Sequence, residues 1–184
     1  MQDVFIIEAL RTPFGSFGGS LADIPAPQLA ATVVKELIAR TGVPAEQVGQ
    51  FIAGQVIQAG VGQAPARQAM RAAGLPDGIP AMTINKVCGS GLKAMMLGAD
   101  SIRLGDDELV IAGGMENMSL IPYALPNARY GMRMGNGQAI DLLLRDALHD
   151  PDTGRDQRRY HQNRQRQHPN VFGQVQVHRD DQAG

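Results

Sequence analysis

The sequence contains no tryptophan, only one cysteine and 4% aromatic residues. A single cysteine excludes an internal disulfide framework and suits a reducing compartment, so we expect a cytoplasmic protein. No apolar run approaches the about 18 residues that a membrane-spanning helix requires, and residues 1–7 lack the basic stretch of a secretion signal. The 17 lysines and arginines balance 18 aspartates and glutamates, which argues against nucleic acid or an acidic membrane surface as the main partner.

The last part of the chain lacks most large aliphatic residues. Residues 155–184 contain no Leu, Ile, Met, Lys or Glu, but six Arg, seven Gln and three His. This composition is typical of translation in a shifted reading frame, and it predicts disorder. The alternative is a basic tail that binds RNA or an acidic partner, but aspartates offset the arginines and only Tyr160 and Phe172 can stack on bases. The histidine spacings match no standard ligand motif, so we expect no metal.

Apolar runs alternate with segments of helical periodicity through the first part of the chain. The predicted strands are 4–10, 51–57, 81–84 and 109–112, and the predicted helices are 25–42, 64–73, a segment ending at Leu104, and 140–148. The run 4–10 is almost continuously apolar, which is typical of a strand buried on both faces. The alternation up to residue 112 predicts an α/β domain with a largely parallel or mixed sheet, in which ligands gather at the carboxyl ends of the strands.

The single cysteine lies between a predicted strand and a predicted helix. Cys88 follows the strand 81–84, and apolar residues recur at helical spacing after Gly91. Unpaired N–H groups and the positive end of the helix dipole favour a thiolate at this point. Gly89 and Gly91 carry no Cβ, so a substrate carbonyl can approach the sulfur closely. Cys88 is therefore a candidate nucleophile, although free cysteines more often act as small buried hydrophobic residues.

A second polar segment follows the predicted strand 109–112. It contains Glu116 in the sequence Gly-Gly-Met-Glu-Asn-Met-Ser. A carboxylate at this place can act as a general base. The commoner role is a turn carboxylate that is bonded to the backbone, and the residues alone leave both roles open.

Three segments together resemble the thiolase family, which comprises acetyl-CoA acetyltransferases and 3-ketoacyl-CoA thiolases. They are Arg-Thr-Pro-Phe-Gly (11–15), Asn-Lys-Val-Cys-Gly-Ser-Gly-Leu-Lys-Ala (85–94) and Gly-Gly-Met-Glu-Asn-Met-Ser (113–119). The resemblance implies a thiolase-like α/β fold with a mixed sheet, helices on both faces and the nucleophile at a strand-to-helix turn. It also implies that Cys88 takes an acyl group as a thioester and passes it between acyl-CoA molecules, as in fatty acid metabolism. CoA thioesters such as acetyl-CoA would be the substrates, without a cofactor.

The resemblance assigns roles to further residues. It implies that Gly89, Gly91, Glu116 and Asn117 support the site and do not transfer protons. Leu148 resembles the leucine that can border the CoA adenine in thiolases.

The resemblance also divides the chain. Residues 1–119 correspond to the N-terminal catalytic half, and residues 120–154 begin the loop insertion through which thiolases assemble tetramers. We therefore expect a homo-oligomer, either a dimer or a tetramer. Residues 155–184 are the atypical tail described above.

The resemblance ends after about residue 154. The Gly-His-Pro histidine that deprotonates the nucleophile in thiolases has no counterpart here, and neither does the second cysteine of the Cys-x-Gly motif. His149 is the only histidine outside the tail, and nothing in the sequence places it near Cys88. We therefore expect a truncated or frameshifted acetyl-CoA C-acetyltransferase with severely impaired activity. The alternative is a non-catalytic fragment that associates with full-length thiolase subunits or aggregates.

Overall fold

The computed structural model of the chain describes residues 3–151 and the strand Gly173–Arg179. In this part of the chain the strands are β1 (Phe5–Arg11), β2 (Gln50–Gly54), β3 (Ala81–Ile84), β4 (Leu109–Met115), β5 (Tyr123–Ala124), β6 (Ile140–Asp141) and β7 (Gly173–Arg179). The α-helices are α1 (Ala26–Thr41), α2 (Pro65–Ala73) and α3 (Ser90–Leu104). No helix in these ranges has the length and apolar character that a membrane crossing requires.

Five of the strands form one mixed sheet in the order β1-β7-β4-β2-β3. β2 pairs in parallel with both β3 and β4, whereas β7 runs antiparallel between β4 and β1. β5 and β6 form a separate antiparallel pair. The carboxyl ends of β2, β3 and β4 therefore lie at the same edge of the sheet, where α/β folds bind their ligands.

Helices cover both faces of this sheet. On one face, α1 and α2 pack against Phe51, Ala53 and Ile111 in the larger apolar core. On the other face, α3 packs against Ile52 and Val110. Neighbouring residues of one strand point to opposite faces, so Phe51 and Ile52 serve the two cores in turn. The predicted α/β class, with a mixed sheet and helices on both faces, is confirmed.

The ends of α1 lie where the sequence signals predict them. Pro27 is in the first turn, where a missing N–H costs nothing, and Gly42 ends the helix in the left-handed conformation with φ of 66°. The N–H of Gly42 donates to the carbonyl of Ile38, which satisfies one of the last free carbonyls of the helix. These local signals set where the helix begins and where it ends.

The expectation that β1 is buried on both faces is wrong. Phe5, Ile6 and Ile7 are 48%, 53% and 41% exposed. β1 is the last strand at one edge of the five-stranded sheet, so the helices do not cover it fully. A continuous apolar run shows that a strand is apolar on both faces, but it does not show that both faces have neighbours.

The predicted helix 140–148 is also incorrect in form. Its first residues form β6, which pairs with β5 through Ile140–Ala124 and Asp141–Tyr123. Only Leu143–Leu148 is helical, as a single wide π-helical turn. The apolar spacing marked a segment with a buried side, and cross-strand pairing determined the conformation of its beginning.

The expected disorder of residues 155–184 is not met over Gly173–Arg179, which forms β7 inside the sheet. The rest of that range lies outside the described residues. Val175 and Val177 alternate with Gln174, Gln176 and His178 in this segment. That period of two favours a strand, although the composition of the whole tail favours disorder.

Candidate functional site

Cys88 lies between β3 and α3, at the carboxyl-terminal edge of the sheet. β3 ends at Ile84 and α3 begins at Ser90, so five residues form the connection. The Cys88 side chain is exposed, so it is not the buried hydrophobic residue of the alternative interpretation. The thiol therefore lies at a place that a substrate can reach.

The turn before Cys88 contains a strained residue. Val87 has a φ of 48°, in the left-handed region, although it is not glycine. A β-branched residue is a genuine outlier in this region, and such a conformation costs about 1–3 kcal/mol. Neither Gly89 nor Gly91 has a positive φ, so the turn bends at the residue before the cysteine and not at the glycines after it.

Hydrogen bonds within the turn use the two N–H groups that follow Cys88 in the chain. The N–H of Gly89 donates to the carbonyl of Lys86 (3.1 Å), and the N–H of Ser90 donates to the carbonyl of Val87 (3.0 Å). These two groups are therefore not the free donors that we expected to stabilise an anion on Cys88. Both N–H groups donate to carbonyl groups within the turn.

Close approach of backbones fixes the start of α3 against the sheet. A Cβ placed on Gly54, at the end of β2, would lie 2.5 Å from the Cβ of Ser90 and 2.8 Å from the nitrogen of Gly91. A Cβ on Gly114 of β4 would lie 3.2 Å from the Cα of Gly91. The absence of side chains at Gly54 and Gly114 lets the first turn of α3 approach the ends of β2 and β4.

Glu116 links the end of β4 to the loop that follows β2. Its Oε2 accepts hydrogen bonds from the N–H groups of Val56 (2.8 Å) and Ile57 (3.4 Å). The carbonyl of Val56 accepts from Nδ2 of Asn85 (3.1 Å), and Oδ1 of Asn85 accepts from the N–H of Val87 (2.9 Å). Glu116 is thus connected to the turn of Cys88 through Val56 and Asn85.

The second oxygen of Glu116 is buried without a partner. Among the described residues, neither Oε1 of Glu116 nor Oε1 of the buried Gln55 has a hydrogen-bond partner. Burial raises the pKa of Glu116, while the N–H groups of Val56 and Ile57 and the side chain of Gln55 oppose the increase. A proton on Glu116 removes the buried charge and turns its unpartnered oxygen into a donor.

We predict that Glu116→Gln makes the folded chain more stable at neutral pH, by about 1–3 kcal/mol, because an amide keeps one acceptor and adds a donor. Because the pKa of Glu116 is raised in the folded state, the natural carboxyl contributes its full stabilisation at pH values below its ordinary pKa of 4.5. That stabilisation is lost as the pH rises through the folded-state pKa. Urea unfolding at acidic and neutral pH should therefore show that the free energy of unfolding depends less on pH in the variant than in the natural chain.

Glu116→Ala is the matched control, because it removes the acceptor for the two N–H groups of Val56 and Ile57. It should lower the free energy of unfolding at both pH values. If Glu116→Gln and the natural chain show the same pH dependence, the carboxyl does not gain a proton on folding.

Asn117 holds a different segment, the loop before α1. Its buried Nδ2 donates to the carbonyls of Leu21 (3.1 Å), Ala22 (2.9 Å) and Ile24 (2.8 Å). Its Oδ1 accepts from the N–H of Ser119 (2.9 Å). Asn117 is therefore a bridge between the end of β4 and the entrance of α1, and it makes no hydrogen bond to the turn of Cys88 in the described part of the chain.

The remaining candidate, Leu148, lies away from this turn in sequence and ends the π-helical segment. It is 9% exposed, and the N–H of the following His149 donates to the carbonyl of Leu144 (2.8 Å). Within the described ranges, no hydrogen bond or ion pair joins His149 to Cys88. The described residues therefore provide an exposed thiol in a hydrogen-bonded turn, without a hydrogen bond from that thiol to His149.

Cavities of about 750 and 550 Å³ open in the described part of the chain, and Cys88 lines neither of these. The larger, of about 750 Å³, is lined in part by Gln55, Arg67 and Asn117. No group of three His, Cys, Asp or Glu side chains in the described ranges is arranged to hold a metal ion. Cys88 is exposed at the edge of the sheet, outside both of these cavities.

The geometry agrees with the comparison to known families. Residues 4–163 match the family described as Thiolase, N-terminal domain. The chain belongs to the thiolase family. Among curated thiolase relatives, the acetyl-CoA acetyltransferase of Pseudomonas aeruginosa is 59% identical over 150 residues, and that of Cupriavidus necator is 58% identical over 150 residues. The probable acetyl-CoA acetyltransferase of Escherichia coli is 53% identical over 150 residues.

Each of these matches covers a much larger share of this chain than of the relative. Each covers 82% of this chain but only 38% of the relative. The chain thus spans a little over a third of the length of these curated thiolases.

Sequence reasoning missed the residues that shape the turn of Cys88. Asn85, Val87 and Ser90 lie beside Cys88, yet nothing in their identity reveals a left-handed valine. Gly54 and Gly114 lie 34 and 26 positions from Cys88 in the numbering. The available signal was a glycine inside the predicted strand 51–57 and another just after the predicted strand 109–112, because a glycine in a strand often marks a close backbone approach.

Proposed function

We propose that this chain carries the nucleophile of a thiolase and that Cys88 accepts an acyl group from an acyl-CoA. The observation that supports this most is an exposed thiol held at a strained turn, at the carboxyl ends of parallel strands. A strained residue beside a reactive group is typical of active sites. The relatives named acetyl-CoA acetyltransferase favour acetyl-CoA as the substrate.

The proposed step is an acyl exchange between two sulfur atoms. The Cys88 thiolate attacks the carbonyl carbon of the thioester, and a new carbon–sulfur bond forms at Cys88. The bond to the CoA sulfur then breaks, and CoA leaves as a thiolate that takes a proton from water. In a complete cycle, the enolate of a second acetyl-CoA would attack the acyl group on Cys88.

We propose that the complete cycle is severely impaired in this chain. The second half-reaction requires a base to take the α-proton of acetyl-CoA, and loss of a positioned base costs about 10² to 10⁴ in rate. No hydrogen bond joins Cys88 to a base in the described residues. Rapid thiolysis of acetoacetyl-CoA by the purified chain would contradict this part of the proposal.

The proposed nucleophile is tested by intact mass after incubation with acetyl-CoA. We expect one acetyl group per chain, and we expect Cys88→Ser to lose the rapid adduct because its hydroxyl is not activated at neutral pH. An adduct of equal extent in Cys88→Ser would place the acetyl group elsewhere. No adduct on the natural chain, with a thiol that alkylates no faster than in urea, would end the proposal.

We further propose a cytoplasmic homo-oligomer in which residues 1–119 are the catalytic half and residues 120–154 form an oligomerisation insertion. Large apolar or aromatic side chains in this insertion are exposed, among them Tyr130 at 87% and Met134 at 104%. Exposed apolar patches mark interaction surfaces. Leu148, in the same segment, is the proposed neighbour of the CoA adenine.

A second candidate is a non-catalytic fragment that associates with full-length thiolase subunits or aggregates. Its support is the apolar side of α3 that faces solvent, where Leu92, Met96 and Leu104 are 64%, 51% and 78% exposed. Light scattering after gel filtration, with and without an added full-length thiolase, distinguishes the two candidates. A monodisperse chain that acetylates Cys88 favours the first.

A further inference from the structure

The strained conformation of Val87 has to be held in place by its surroundings. If Val87 relaxed, the direction of the next residue, Cys88, would change. A left-handed residue persists only where its surroundings determine its conformation. Val87 is 55% exposed, so packing of its own side chain does not supply the constraint. The constraint has to come from the hydrogen bonds of its backbone.

Both polar groups of the Val87 backbone are held by neighbouring residues. Its N–H donates to Oδ1 of Asn85 (2.9 Å), and its carbonyl accepts from the hydroxyl of Ser90 (2.6 Å) and from the N–H of Ser90 (3.0 Å). The same hydroxyl accepts from the N–H of Lys86 (2.8 Å). The Ser90 hydroxyl therefore ties the residue before Val87 to the carbonyl of Val87 itself.

Ser90 is in turn fixed by the sheet. It is 4% exposed and begins α3, and its Cβ lies where a Cβ on Gly54 would be only 2.5 Å away. A buried side chain in so narrow a space keeps one rotamer. Ser90 thus transmits the position of β2 to the turn that carries the thiol.

We infer that Ser90, assisted by Asn85, is a positioning residue that holds Val87 in its left-handed conformation and so directs the Cys88 thiol. The inference rests on the proposed function for the role of Cys88 as nucleophile. The hold on Val87 itself follows from the hydrogen bonds alone, and it is measurable without any acyl-CoA.

The test is a cycle of four chains: the natural chain, Ser90→Ala, Val87→Gly and the double variant. Glycine adopts the left-handed region without strain, so Val87→Gly makes the hold unnecessary. We expect Ser90→Ala to slow acetylation of Cys88 by about tenfold, which lies within the range set by the cost of strain at Val87. In the Val87→Gly background, the same substitution should slow acetylation by no more than about twofold. The rate of Cys88 alkylation by iodoacetamide, a reaction that does not need a substrate bound in a defined position, should differ little among the four chains.

Hydrogen exchange at the Val87 amide provides the readout that does not depend on acylation. Ser90→Ala leaves the direct acceptor of this amide, Asn85, in place. Faster exchange at Val87 in Ser90→Ala would therefore report relaxation of the turn and would support the inference even if acetyl-CoA does not label the natural chain. Absence of that label would reject only the proposed function.

Three results would overturn the inference. The first is unchanged Val87 exchange in Ser90→Ala. The other two apply where acetyl-CoA labels the natural chain: acetylation as fast in Ser90→Ala as in the natural chain, and an equal loss of acetylation from Ser90→Ala with and without the Val87→Gly substitution. If Ser90→Ala does not fold, Asn85→Ala replaces it, because Asn85 is exposed and its side chain accepts directly from the N–H of Val87 while it donates to the carbonyl of Val56. The same pattern of rescue by Val87→Gly is then required.

Discussion

Replacement of Gly54 by alanine should destabilise this thiolase chain by about 3 kcal/mol or more, because overpacking a close contact commonly costs about 1–3 kcal/mol and here the neighbour is backbone. The new Cβ would lie 2.6 Å from the carbonyl carbon of Ser90 and 2.8 Å from the nitrogen of Gly91. Neither atom can move away unless the whole start of α3 moves. Urea unfolding measures the loss of stability, and intact-mass labelling measures whether Cys88 still takes an acetyl group.

Gly78→Ala is the matched control for this prediction. It adds the same methyl group at a glycine where nothing lies within 4 Å of the new Cβ and where φ is not positive. We expect its free energy of unfolding to stay within about 0.5 kcal/mol of the natural value. If Gly54→Ala were as stable as Gly78→Ala, the approach of α3 to β2 would be looser than the structure shows.

The fold was largely predictable because several of its signals are local. Pro27 and Gly42 mark the ends of α1, and Gly74 and Gly105 end α2 and α3 in the left-handed conformation. Each such signal depends on the conformations available to one residue and needs no knowledge of the remainder of the chain. The apolar runs of β2 and β4 are similarly short-range patterns, so the α/β class followed.

For the candidate site, the sequence predicted the position of the thiol but not the contacts around it. The position of Cys88 follows from a strand followed by a helix, but the strain at Val87 depends on Asn85, Ser90 and the distant Gly54. Glu116 contacts Val56, 60 positions earlier in the chain. Contacts between residues so far apart leave no periodic pattern in a single sequence, so sequence reasoning found Glu116 without its partners.

The tail shows a different limit of sequence reasoning. Its average composition favoured disorder, because little apolar surface is available to offset the entropy of ordering. An average over 155–184 conceals the short alternating segment Gly173–Arg179, which pairs with β4 along its whole length. Strand pairing satisfies backbone groups whatever the side chains are, so a segment with few large apolar residues can still enter a sheet.

Gln176→Pro should therefore cost the chain about 2–3 kcal/mol, through the loss of a ladder hydrogen bond and an acceptor left without its donor. Gln176 lies in the middle of β7, opposite Ala9 of β1 and Ala112 of β4. Proline is confined to edges and bulges of sheets, and β7 is an interior strand. Within the described sheet β1 is hydrogen-bonded only to β7, so the variant should also loosen β1. Urea unfolding and hydrogen exchange of the β1 amides measure the two effects.

Gln176→Thr is the control, because threonine keeps the N–H and suits a strand, and its stability should stay within about 0.5 kcal/mol of the natural chain. The pair of variants distinguishes two views of residues 155–184. If the proline and threonine variants are equally stable, this tail contributes nothing to the sheet and the disorder expected from its composition applies to β7 as well. If only the proline variant loses stability, β7 completes the sheet between β1 and β4, and the stability of this sheet depends on a segment beyond the thiolase-like part of the sequence.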